Sequence, residues 1–178
     1  MPNNREIATL QAYVNYLNSI FNQTVTDSRL TIINRADCLI ISRYQDDSFL
    51  PIELKPTGFL HFRQLACVKS GRVIVEECRY IYSLSADPDN EEEWIFRYEY
   101  CLKPERGVPS AHLHFNGTHN DKPMRQIHFP TGRISIEQII AHLIIEHGII
   151  PKIPTWFDLL AESHKGFIKR RTDPPLFP

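Results

Sequence analysis

The sequence predicts an α+β fold, an antiparallel β-meander sheet with an N-terminal helix and two C-terminal helices packed on it. Three observations predict it. Apolar residues recur at spacings of three and four near the N-terminus. Short β-branched and aromatic runs, separated by turn residues, fill the middle of the chain. Two apolar stretches with helix-capping residues close it. Helix, strands, then helices is the segregated order of an α+β protein. The chain reads as one domain over residues 1–178, with a helical segment over 1–25, a β-meander over 29–130 and a helical segment over 135–171.

The first helix is expected over about 4–22, because Ile7, Leu10, Val14, Leu17 and Phe21 form one stripe and Gln11, Asn15, Asn18 and Asn22 lie off it. That stripe can dock on the domain's own sheet, or on a second copy of the chain or a partner. Strands are expected at about 30–34, 37–43, 59–68, 72–84, 93–102, 110–116 and 123–129. Ser70-Gly71 and the Ala86–Asn90 segment supply turns, and 103–109 and 116–123 read as longer loops. Connections this short favour antiparallel pairing. The second helix is expected over 136–147, with Ser135 as N-cap, Gln138 completing a capping box and Gly148 as terminator. The third starts near Pro154, carries Trp156, Leu159, Leu160 and Phe167, and ends in a basic stretch.

Composition narrows the function classes. Hydrophobic residues make up 42% of the 178, enough for a core without staples. The net charge of -1 gives no global electrostatic reason to bind nucleic acid, so any basic patch must be local. Cys38, Cys67, Cys78 and Cys101 form no C-x-x-C pair, which argues for free thiols in a reducing compartment. The N-terminus lacks the apolar core of a signal peptide, and no run approaches a membrane span. The expectation is a cytoplasmic protein that does not enter membranes.

The chemistry-bearing residues cluster on three consecutive expected strands. These are Arg97, the pair His112 and His114, and Arg125 with His128. Residues two apart on a strand share a face, so His112 and His114 point the same way, and Arg97, Glu99 and Cys101 share a face likewise. Two imidazoles can cleave RNA without metal, one as base and one as acid, while an arginine stabilises charge on phosphate. The same histidines could hold a divalent metal, or line a sheet face with no chemistry. Arg125 and His128 are three apart, so in a regular strand only one can join the pair. Glu99 reads as an ion-pair partner of Arg97 ahead of an acid–base group. His164, Lys165, Lys169, Arg170 and Arg171 form the one basic cluster, a candidate backbone contact for nucleic acid or simply a dipole-stabilised helix end.

Residues 58–130 resemble the TumE-type ribonuclease toxins of prokaryotic toxin–antitoxin pairs. The likeness lies in Gly58-Phe59-Leu60-His61-Phe62-Arg63, in Tyr80-Ile81-Tyr82, in Phe96-Arg97-Tyr98-Glu99-Tyr100, in the His112/His114 strand and in Phe129-Pro130. Glu99 stands where that family has an aspartate, and both helical segments extend beyond the small toxin. The resemblance implies a metal-independent ribonuclease, without cofactor, acting on RNA and neutralised by an antitoxin or other protein partner. His112, His114, Arg97 and His128 are then the catalytic candidates, with Arg125, Lys169, Arg170 and Arg171 contacting substrate. The rival is a non-enzymatic interaction module of a prokaryotic multiprotein system, with the sheet face or the N-terminal helix as its contact surface.

Overall fold

A computed structural model describes residues 3–35, 38–119 and 122–170. The first helix, α1 (Asn4–Thr24), begins where Asn3 accepts hydrogen bonds from the backbone of Arg5 and Glu6 and Glu6 returns the bond, a capping box. Leu10, Val14, Leu17 and Phe21 of its stripe are buried, while Ile7 is exposed.

The strands follow in order: β1 (Thr31–Arg35), β2 (Cys38–Ser42), β3 (Tyr44–Gln45), β4 (Ser48–Phe49), β5 (Ile52–Glu53), β6 (Phe59–Lys69), β7 (Arg72–Ser83), β8 (Trp94–Cys101), β9 (Ala111–Phe115), β10 (Thr118–His119), β11 (Lys122–Pro123) and β12 (Phe129–Pro130). Eight of them make one antiparallel sheet, ordered β1-β2-β6-β7-β8-β9-β12 with β5 also on β6. The β6–β7 hairpin turns at Ser70 and Gly71, both with positive φ, the twist that a two-residue turn needs. The α+β architecture and meander order are those predicted.

One expected strand is different. Residues 123–129 are not a continuous strand. Met124–Gln126 form a 3-10 turn, and only Phe129–Pro130 pairs with β9. The apolar residues Met124 and Ile127 lie three apart, a helical rather than a strand spacing, and the Ile127 N–H closes on the Met124 carbonyl at 2.9 Å. The short β3–β4 and β10–β11 hairpins were not expected at all.

The final helices are α2 (Ile136–His147) and α3 (Trp156–Arg170). Ser135 caps α2 in a capping box with Gln138, and Gly148 ends it in the left-handed conformation. All three helices lie on one face of the sheet. Phe62, Tyr80 and Tyr98 stack across β6, β7 and β8 at 5.1 and 5.7 Å beneath them, and Phe21 of α1 meets Phe62 edge-on at 5.7 Å. Several buried polar groups in this layer are paired. Tyr13 donates to Gln64, Gln64 donates to the Tyr80 hydroxyl, and the Tyr98 hydroxyl accepts from the Ile134 N–H. Buried Glu137 accepts from Tyr16 and Ser163, tying the three helices together. None of the described helices is long and apolar enough to cross a membrane.

Candidate functional site

The site lies on the other face of the sheet. Alternation along β8 turns Phe96, Tyr98 and Tyr100 toward the helices and Arg97 and Glu99 away from them. The β8–β9 register sets Arg97 opposite His114 and Glu99 opposite His112, so the four side chains share the open face. On the next strand, Arg79 stands opposite Glu99. After β9 the chain turns back through Met124–Gln126 and re-enters the sheet at β12, which brings His128 over the other two histidines. The three ring centroids are 4.6 to 4.9 Å apart.

Glu99 is the hub. One oxygen, Oε1, accepts from Arg79 Nε at 2.7 Å. The other, Oε2, lies 3.5 Å from Arg97 Nε, 3.4 Å from His112 Nε2 and 3.3 Å from His114 Nε2. Burial alone pushes this carboxyl up, but the two imidazoles and the two guanidiniums outweigh it and hold the group well below the usual carboxylate range. Arg97 also stacks over the Trp94 ring at 4.7 Å.

Backbone carbonyls orient both inner histidines. His112 Nδ1 donates to the Pro109 carbonyl at 2.9 Å, and His114 Nδ1 donates to the Arg125 carbonyl at 2.8 Å. A carbonyl can only accept, so Nδ1 carries a proton in each ring, and Nε2 is the nitrogen turned to Glu99. His114 Nε2 and Arg97 Nε are buried with no hydrogen-bond partner among the described residues. His112 and His114 are 5% and 2% exposed, whereas His128 is exposed. Burial, with His112 and His114 alongside, pushes the His128 imidazole below its ordinary value against the opposing pull of Glu99.

A cleft of about 470 Å³ opens beside the cluster, and Arg63, Arg79, Glu99, Lys103, His112 and His128 are among its lining residues. It therefore joins two of the three imidazoles to three cations.

The structure thus brings His112, His114, His128 and Arg97 together. Arg125 contributes only its carbonyl; its side chain turns to Glu91 at 3.5 Å. The 3-10 turn is the reason, since it breaks the alternation that would have aligned Arg125 or His128 with the pair. Lys169 is exposed on α3, in the helical layer on the opposite face of the sheet. There Arg133 sits between the Tyr100 and Phe167 rings, and His164 meets Ser135 at 3.0 Å. Arg170 ends α3 with its side chain outside the described residues, and Arg171 lies outside them altogether. Sequence reasoning missed Arg79 and Lys103 and undervalued Glu99. The alternation of β7 carried a signal for Arg79, but only register could connect it to Glu99.

Comparison with family models, curated proteins and solved structures finds no match to this chain.

Proposed function

We propose that the protein cleaves RNA at the histidine cluster. The observation that carries the reading is His128, an exposed imidazole that lines the same cleft as Arg79 and Lys103 and sits directly above His112 and His114. A phosphodiester is the substrate class suited to a base flanked by guanidinium and ammonium groups. The likeness of residues 58–130 to ribonuclease toxins points the same way.

The step needs one base at the surface. His128 takes the proton of a ribose 2′-hydroxyl, and the oxygen attacks the adjacent phosphorus. The P–O5′ bond breaks, and the leaving oxygen takes a proton from solvent. The products are a 2′,3′-cyclic phosphate and a 5′-hydroxyl. Arg79 and Lys103 stabilise the charge that develops on the phosphoryl oxygens. A low His128 pKa keeps the ring neutral near pH 7, the form a base requires. The burial of His112 and His114 favours a supporting role for them beneath His128.

The test is cleavage of a labelled RNA, with the product ends identified. Wild-type protein should yield cyclic-phosphate ends, and expression in a bacterial host should slow growth. If RNA stays intact with or without added divalent metal, and growth is unaffected, this reading fails and the interaction-module reading stands in its place.

A further inference from the structure

We infer that His112, His114 and His128 together hold one divalent transition-metal ion, with Glu99 as the acidic group beside it. The inference rests on geometry alone, and an ion held this way occupies the His128 lone pair, so the metal-bound form is distinct from the one in which that ring acts as a base.

The inner histidines are arranged as ligands. Each Nδ1 is anchored on a backbone carbonyl, at 2.9 Å for His112 and 2.8 Å for His114. That is the outer contact that fixes the tautomer and aims Nε2 at a metal. Both Nε2 atoms then face the same carboxylate oxygen, at 3.4 and 3.3 Å. The buried His114 Nε2 has no hydrogen-bond partner among the described residues. A cation at this point would give the unpartnered nitrogen a ligand bond and would be drawn by the Glu99 carboxylate.

The third ligand is His128. One potential ligand atom from each ring lies within 4.8 Å of the others. Three nitrogens each about 2.0–2.1 Å from one ion stand roughly 3.3 Å apart in a tetrahedral arrangement, so a closure of about 1.5 Å or less is required. His128 is exposed and precedes β12 rather than lying within a long strand, so it is the ligand able to move. Three imidazoles with a carboxylate suit zinc, iron, nickel or copper rather than magnesium or calcium.

The contrast with the rest of the molecule supports this choice. His142 and His147 are also close, with ring centroids 5.1 Å apart, but they pack on Phe96 and Tyr82. The buried carboxylate of Glu137 accepts from two hydroxyls at one oxygen. Among the described residues, only at the three-histidine cluster does a buried nitrogen without a hydrogen-bond partner face a carboxylate.

The experiment titrates chelator-stripped full-length protein with Zn²⁺ or Ni²⁺ in a calorimeter, and with Co²⁺ by visible absorption. One equivalent should bind saturably. His128→Ala, a change at an exposed position, should weaken binding at least about tenfold, as should Glu99→Gln. His142→Ala should leave it unchanged. Circular dichroism verifies the fold of each variant. No saturable one-to-one binding, or binding equally strong in His128→Ala, overturns the inference. The two readings fail separately. Metal bound at this cluster with RNA uncut removes the ribonuclease and keeps the site, whereas RNA cut in chelator by a protein that binds no metal does the reverse.

Discussion

Among the described residues, two groups of histidines are in contact, and they have opposite surroundings. His142 and His147, on α2 at the helix-covered face, meet at 5.1 Å between centroids, much as His112, His114 and His128 do at 4.6 to 4.9 Å. His147 lies against Tyr82 at 4.8 Å and His142 against Phe96 at 5.5 Å, so those rings serve as aromatic packing. The other group encloses a carboxylate, is anchored on two carbonyls and borders a cleft lined by cations. Proximity of imidazoles is therefore weak information by itself. What separates a site from packing is whether the ring nitrogens are oriented and what they face.

The largest expected effect breaks the comparison by activity. His128→Ala should lower RNA cleavage at least about 10²-fold, the usual scale of help from one general base. His142→Ala and His147→Ala should leave cleavage unchanged. Cleavage of labelled RNA, with circular dichroism beside it, reads both. Equal losses in the two groups would mean that the helix-covered histidines belong to the site after all.

The second effect is on stability. His114 is 2% exposed and its Nδ1 is bonded to the Arg125 carbonyl. His114→Ala should cost about 2–3 kcal/mol, because it leaves a cavity and strands that carbonyl. His142 is exposed, and His142→Ala should cost within about 0.5 kcal/mol. Urea unfolding in chelator measures both without a contribution from bound ions. A His114 variant as stable as the His142 variant would show that the inner histidines are not held as the geometry implies.

How much of this contrast can be read from the sequence differs between the two faces. The helix-covered face is legible because its information is local. The spacing of Leu10, Val14, Leu17 and Phe21 and the capping residues Asn3, Ser135 and Gly148 act within a few residues of themselves. Alternation likewise shows that His112 and His114 share a face, as do Arg97 and Glu99. It cannot show that the two pairs meet, because that depends on the β8–β9 register, set by packing across the whole sheet. The approach of His128 is hidden for a different reason. It depends on the 3-10 turn at Met124–Gln126, and a three-residue turn leaves little pattern in an apolar run. The anchoring carbonyls of Pro109 and Arg125 are backbone atoms, on which side-chain identity says almost nothing.

The smallest expected effect sharpens the comparison through pH. His147 is half-buried against the Tyr82 and Phe96 rings. Burial, then the neighbouring His142, pushes its imidazole below the ordinary value, and Glu146 opposes them. The unfolded chain therefore binds a proton at this residue more readily than the folded one. Stability from the neutral ring is present above the unfolded value of about 6.5, and is lost as pH falls from there through the lower folded value. His147→Phe keeps an aromatic ring on Tyr82 and removes the proton. The variant should lose less stability than wild type between about pH 7 and pH 5. The change will be partial, because His61 and His128 are shifted downward by burial as well and contribute to the same slope. Urea midpoints at the two pH values measure it. An unchanged slope would mean that His147 is solvated in the folded protein, and the contrast between a packed pair and an oriented triad would then rest on the His112 side alone.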